Sequence, residues 1–187
     1  DLATQAFTTP FVFGNGTRCG NFDELALGCQ QNWSAAAAAL REGLFEKFLG
    51  GLGRIDLAYA AREAAAFPDA DRGLDQLLAR MPARAVAAPK LSLDCAEVKL
   101  GPLPVGRDHQ FDLVLRNEGL RLLYGAVASN CKWLNPADQG NGQKLIKLTT
   151  TETIPVRIRG DQLRAGGKPM AGQLHIDSNG GSAVVNV

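Results

Sequence analysis

The sequence predicts a segregated α+β fold: an N-terminal small helical bundle with a short β-hairpin, followed by a C-terminal antiparallel β-sandwich. Three observations predict it. Apolar residues recur with a helical period up to about residue 85 and alternate with a period of two beyond it. The first stretch is rich in Ala and Leu, whereas the second is built of short runs separated by turn residues. Asn-Gly pairs, the strongest short-range hairpin signal, stand between apolar runs near both ends, at Asn15-Gly16 and Asn179-Gly180. A chain of 187 residues holds one large domain or two small ones, and at 45% hydrophobic it can bury a real core. The expected organisation is a helical domain over 1–82, a linker over 83–89 and a sandwich over 90–187.

The elements follow in order. Phe11 to Phe13 is expected to fold against Thr17 to Cys19 across the Asn15-Gly16 turn. Asn21 then caps a helix, with Glu24 completing a capping box, and Phe22, Leu25, Ala26 and Cys29 form one face. The same spacing returns in Trp33, Ala36, Ala37 and Leu40, and again in Leu57, Ala60, Ala61 and Ala64. Leu44, Phe48 and Leu52 make a further stripe ended by glycines. Asp71 is the expected cap of a last helix carrying Leu74, Leu77, Leu78 and Met81, stopped by Pro82.

After the linker "PARAVAAPK", alternation marks strands at Leu91 and Leu93, Val98 and Leu100, and Phe111, Leu113 and Leu115. Others follow at Ile154, Val156 and Ile158, at Leu174 and Ile176, and at Ala183 to Val185. About seven short strands in about 100 residues suit an immunoglobulin-like sandwich. Segregated helices and strands disfavour a parallel βαβ sheet.

Several chemistries are excluded by spacing. Gly14, Gly16 and Gly20 form G-x-G-x-x-x-G, one residue longer than the dinucleotide fingerprint, and the second strand with its acidic end is missing. No phosphate-loop, nucleophile-elbow or zinc-protease motif occurs. Cys19, Cys29, Cys95 and Cys131 lack the close pairing of zinc sites and read as buried free thiols. His109 and His175 each lie in a predicted strand with no catalytic partner in view, and Asp23-Glu24 suits a first helical turn. No catalytic, cofactor-binding or metal-ligating residue emerges. Asn15-Gly16-Thr17 and Asn32-Trp33-Ser34 match the glycosylation sequon, a pattern short enough to arise by chance.

Charge is shared unevenly. Residues 1–88 hold 8 Lys/Arg against 10 Asp/Glu, net −2; the remainder holds 12 against 9, net +3. Arg157, Arg159, Arg164 and Lys168 could form a patch for an acidic partner, but strand alternation turns Arg157 and Arg159 outward in any case, so a solvated face is the expectation. A net charge of +1 supplies no general field for nucleic acid, and no apolar run approaches membrane-spanning length.

The segments "LSLDCAEVKLGPLPVGRDHQFDLVLRNEG", "NCKWLNP" and "LRAGGKPMAGQLHIDSNGGSAVVNV" resemble bacterial immunoglobulin-like accessory domains over about residues 90–187. The first is similar to the ASPM–SPD-2–Hydin type; the "WL" and the terminal G-x-L-x-I-x-S-N-G-G are closer to the BACON type. The stretch "NFDELALGCQQNWSAAAAALREGLFEKFLGGLGRIDLA" resembles modules appended to bacterial serine/threonine kinases and heat-shock chaperone relatives. The resemblance implies a non-enzymatic, cytoplasmic docking or regulatory region of a larger bacterial protein. Its partner would be another protein or another part of the same chain, with no nucleic acid. An extracellular carbohydrate- or surface-binding module is the alternative, favoured by a signal or membrane segment preceding Asp1, and an enzyme with an unrecognised site is the third reading. Trp133 is read as a core plug rather than an exposed sugar platform.

Overall fold

A computed structural model describes residues 1–136 and 142–187. The protein is α+β, with five α-helices and antiparallel sheets among the described residues. It divides into two compact units: Asp1–Ala87 together with Leu120–Leu122, and Ala88–Gly119 together with Leu123–Val187. Among the described residues no helix is long and apolar enough to cross a membrane.

The first unit opens on the expected hairpin. β1 (Phe11–Val12) pairs with β2 (Arg18–Cys19), Phe11 opposite Cys19. Gly16 takes the turn's left-handed conformation (φ 89°), and the Asn15 side chain accepts the Thr17 N–H at 3.1 Å. The two sequon asparagines bond each other, Asn15 Nδ2 donating to Asn32 Oδ1 at 2.6 Å.

The helices are α1 (Phe22–Gln31), α2 (Trp33–Arg41), α3 (Leu44–Gly51), α4 (Ile55–Ala65) and α5 (Ala70–Arg80). Asn21 caps α1 by accepting the Glu24 N–H at 2.9 Å. The reciprocal half of the capping box is displaced by one residue, since Glu24 Oε2 accepts from Gly20 N–H rather than from Asn21. The cap of α5 differs from expectation. Asp69, not Asp71, accepts the N–H groups of Asp71 and Arg72, because the chain enters the helix directly after Pro68. Asp71 lies inside the first turn and accepts from Trp33 Nε1 at 3.1 Å.

Packing in this unit is centred on phenylalanine. Phe7 meets Phe22 edge-on with ring centroids 4.9 Å apart, and Phe11 stacks on Phe45 at the same separation. The hairpin reaches α1 at Gly28, where a Cβ would lie 2.8 Å from Cys19 Sγ and 2.9 Å from Phe13. The small Ala faces of α2 and α4 are buried in the same core.

The stretch 83–89, expected as a linker, is partly held on this unit. Asp23 Oδ1 accepts from the N–H groups of Arg84 (2.6 Å) and Ala85 (3.0 Å), and Ala83 and Val86 pack against the core. Asp75 on α5, only 2% exposed, accepts from Arg121 Nε at 2.9 Å, Arg121 Nη2 at 3.1 Å and Leu122 N–H at 3.2 Å. Gln30 accepts the Arg121 N–H at 2.6 Å. Arg121 adopts φ 63°, a left-handed conformation that costs a non-glycine residue about 1–3 kcal/mol and persists where neighbours over-determine it.

In the second unit the strands are β3 (Leu91–Leu93), β4 (His109–Asn117), β5 (Leu123–Ser129), β6 (Leu134–Asn135), β7 (Gln143–Leu148), β8 (Thr151–Ile158), β9 (Gln173–Ser178) and β10 (Gly181–Asn186). One sheet has the order β3-β4-β8-β6, the other β10-β9-β5-β7. Leu113, Leu115, Ile154, Val156 and Ile158 of the first share one buried cluster with Val127, Ile146, Leu148, Leu174, Ile176 and Val185 of the second. The expected strand through Val98 and Leu100 is replaced by a single bridge, Glu97 to Asn186, while both side chains pack against the core.

Trp133 is 9% exposed within this cluster, and a Cβ at Gly172 would lie 2.9 Å from its ring. It is a core residue, with no face free for a sugar. Cys19 and Cys29 are buried and Cys131 is half-buried, but Cys95 is exposed, contrary to the expectation of buried thiols. Burial raises the Cys19 and Cys29 thiols above the ordinary range, which leaves little reactive thiolate.

Two substitutions test this packing. Asp75→Ala removes a buried acceptor of the Arg121 guanidinium and of the Leu122 N–H. It should destabilise the first unit by about 3–5 kcal/mol, read from a urea midpoint. Trp133→Ala should cost the sheet unit roughly 3–5 kcal/mol in the same measurement, whereas an unchanged midpoint would contradict its place in the core.

Candidate functional site

Strand register gathers charge at one end of the sheet unit. His109 begins β4 opposite Ile158, at the end of β8, and Leu134 of β6 faces the same Ile158. Arg159 N–H donates to Trp133 C=O at 2.8 Å, and Gly106 N–H donates to Gly160 C=O at 2.9 Å. Three segments far apart in sequence, about 106–109, 132–135 and 157–164, therefore end together. A Cβ at Gly160 would run into the Arg107 backbone at 2.3 Å, so the approach between two of them requires glycine.

These segments carry Arg107, Lys132, Arg157, Arg159 and Arg164. All are exposed except Arg159, which is half-buried. Two acids stand among them. Asp108 accepts from Gly160 N–H at 2.8 Å and from Arg157 Nε at 2.8 Å. Asp161 accepts from Arg159 at 2.8 Å. The Gly160 N–H, then the Arg157 guanidinium, hold the Asp108 carboxyl below the usual range; hydrogen bonding to Arg159 does the same for Asp161. Both acids are ionised near neutrality, and five cations against two anions leave an excess of three positive charges among the described residues.

Of the patch singled out in the sequence, Arg157, Arg159 and Arg164 do converge. Lys168 is exposed on the stretch that returns at Gly172, where a Cβ would lie 2.6 Å from Cys131 Sγ. Arg107 and Lys132 were not read from the sequence, because each lies alone in a loop and only the strand register brings it to the others. His109 and His175 stand on different sheets, His175 exposed and His109 turned inward with a buried Nε2 lacking a hydrogen-bond partner among the described residues. Asp23 and Glu24 hold loops and the α1 start, as given above. No group of three or more His, Cys, Asp or Glu placed to hold a metal occurs among the described residues.

No family model matches the chain, and no curated protein matches it. Among solved structures it is similar to the alkylpurine DNA glycosylase AlkC of Pseudomonas fluorescens, bound to DNA containing an abasic site analogue. Identity is 16% with a TM-score of 0.26, over 82% of this chain and 47% of the glycosylase. The chain thus spans about half the length of that protein. The matched structure is an enzyme and is bound to DNA. It runs against the expectation of a non-enzymatic docking region, or a carbohydrate module, that avoids nucleic acid, and those readings are withdrawn. At this TM-score neither fold nor activity passes from the glycosylase to the present chain.

The carboxylates of the cationic end offer a direct check. In an NMR titration Asp108 and Asp161 should both inflect below the ordinary aspartate value of 3.8. Because their folded values are depressed, the contribution of these contacts is present above that value and lost as pH falls through the folded one. Arg157→Gln should raise Asp108 only part of the way, since the Gly160 N–H remains.

Proposed function

We propose that the sheet unit is an immunoglobulin-like sandwich whose cationic end contacts the phosphate backbone of a nucleic acid. The fold reading is supported by strand order. β3-β4-β8-β6 follows the A-B-E-D pattern, and β10-β9-β5 follows G-F-C with β7 added beside C. One buried cluster is shared by both sheets, as a sandwich requires.

The observation that carries the functional reading is the convergence of Arg107, Lys132, Arg157, Arg159 and Arg164 from three segments onto one sheet end. Arg157 and Arg159 are oriented by Asp108 and Asp161, while Arg107, Lys132 and Arg164 have no ion-pair partner among the described residues. Cations arranged this way release counterions from a phosphate backbone on contact. Trp133, the tryptophan of these segments, is buried in the core, so this end supplies backbone contacts rather than base stacking.

Fluorescence anisotropy with labelled single- and double-stranded oligonucleotides tests the reading. Affinity should fall between 50 and 200 mM salt, a range over which several phosphate contacts are worth roughly a hundredfold or more. Arg107→Ala and Lys132→Ala should each lower the slope of log affinity against log salt by about 0.7–0.9, equally for all sequences. Salt-independent binding, or slopes unmoved by both substitutions, would overturn the proposal.

A further inference from the structure

The first unit carries a separate open groove of about 500 Å³ between α3 and α4. Its floor is made by the absence of side chains. A Cβ at Gly43 would meet nothing within 4 Å, and one at Gly50 would only touch Ala58 at 3.9 Å. Two of the large exposed apolar side chains line it: Ile55 (56%) and Tyr59 (59%). The guanidinium of Arg62 lies over the Tyr59 ring, 5.6 Å from its centroid, and is itself held by Glu46 through a 2.8 Å hydrogen bond.

We infer that this groove binds a nucleobase together with its phosphate, the base stacking on Tyr59 and the phosphate meeting Lys47. An aromatic ring left this exposed is an unfilled stacking surface, and the Glu46–Arg62 pair fixes its backing in advance. Charge selects the rest of the ligand. Arg62 is paired with Glu46, which leaves Lys47 as the cation of the groove lining without an ion-pair partner among the described residues. An apolar helix would strand these charges against its surface, whereas a planar ring bearing an anionic group satisfies both the apolar floor and Lys47. The volume lies within the usual range for small-molecule sites. The inference concerns the first unit alone and does not depend on the cationic end of the sheet unit.

Adenosine 5′-monophosphate titrated into the full chain, followed by methyl NMR, tests it. Saturable shifts are expected at Ile55 and Ala58. Tyr59→Ala should weaken binding about 5- to 150-fold, the range a lost base–aromatic stack gives, and Tyr59→Phe should retain it. Gly50→Leu, which adds bulk where a Cβ fits, should block the groove without touching Tyr59. Ribose 5-phosphate, which has no base, should bind far more weakly. The combined Arg107→Ala and Lys132→Ala variant should leave the titration unchanged, so a failure of the backbone-contact reading would not mimic a failure here. Absence of shifts at millimolar nucleotide, shifts that survive Tyr59→Ala, equal binding of ribose 5-phosphate, or a concentration-dependent dimer that covers Tyr59 would each overturn the inference.

Discussion

A carboxylate that water hardly reaches has to be answered by donors from the protein, and Asp75 is answered from outside the helical sequence that carries it. Three of its contacts come from Arg121 and Leu122, 46 and 47 positions further along the chain. The first unit is therefore not a contiguous stretch. It includes the tripeptide Leu120–Leu122, whose leucine at 122 is buried with it. The left-handed backbone at Arg121 follows from the same requirement: its N–H must reach Gln30 while its side chain reaches Asp75. A burial this complete is strongly unfavourable without its partners, so the conformation of the tripeptide and the charge on α5 stand or fall together.

The rest of the first unit is built by close approach. Short helices with Ala faces have little side-chain bulk, and the larger apolar volume comes from phenylalanines on the hairpin, α1 and α3. Gly28 lets the hairpin lie against α1, and the stacked rings of Phe11 and Phe45 join the hairpin to α3. The same economy of side chains, at Gly43 and Gly50 on the outer side of α3, leaves a groove instead of a packed face. In the sheet unit the organising factor is register. Pairing His109 with Ile158, and Leu134 with the same residue, brings three loops to one end and sets their cations side by side.

Elements with a strong, uninterrupted period were legible. The Asn15-Gly16 hairpin, the helical faces from Phe22 to Leu78, and the strands through Leu113, Val156 and Ile176 lie where alternation and spacing put them. Three strands of the sheet unit were not legible, and the shortest of them, β6, has only two residues and no period to read. β5 reads Leu-Tyr-Gly-Ala-Val-Ala-Ser, whose outward positions are filled by Tyr and Ala rather than by charged or strongly polar residues, so alternation is lost. In β7, Leu145 stands exposed next to buried Ile146, which blurs the period in the same way. The cap of α5 was misplaced by two residues because Asp69 and Asp71 are chemically equivalent caps, and only the backbone path decides between them. The cationic end was half legible, since Arg157 and Arg159 share a strand while Arg107 and Lys132 carry no local pattern.

By itself the sequence determined the class of fold, the change from helical to strand texture near residue 85, and the inward rows of β4, β8 and β9. These are consequences of hydrophobic periodicity, which acts between near neighbours and is written in consecutive residues. Tertiary structure alone decided that Leu120–Leu122 belongs with the helices, that Arg107 and Lys132 join Arg157 and Arg159, and that Tyr59 faces an open groove. Each of these depends on contacts between residues tens of positions apart or on space left unfilled between elements. Neither has a local sequence signature, because the energy that sets them comes from satisfying a buried charge, from strand register, or from how closely two backbones can pack.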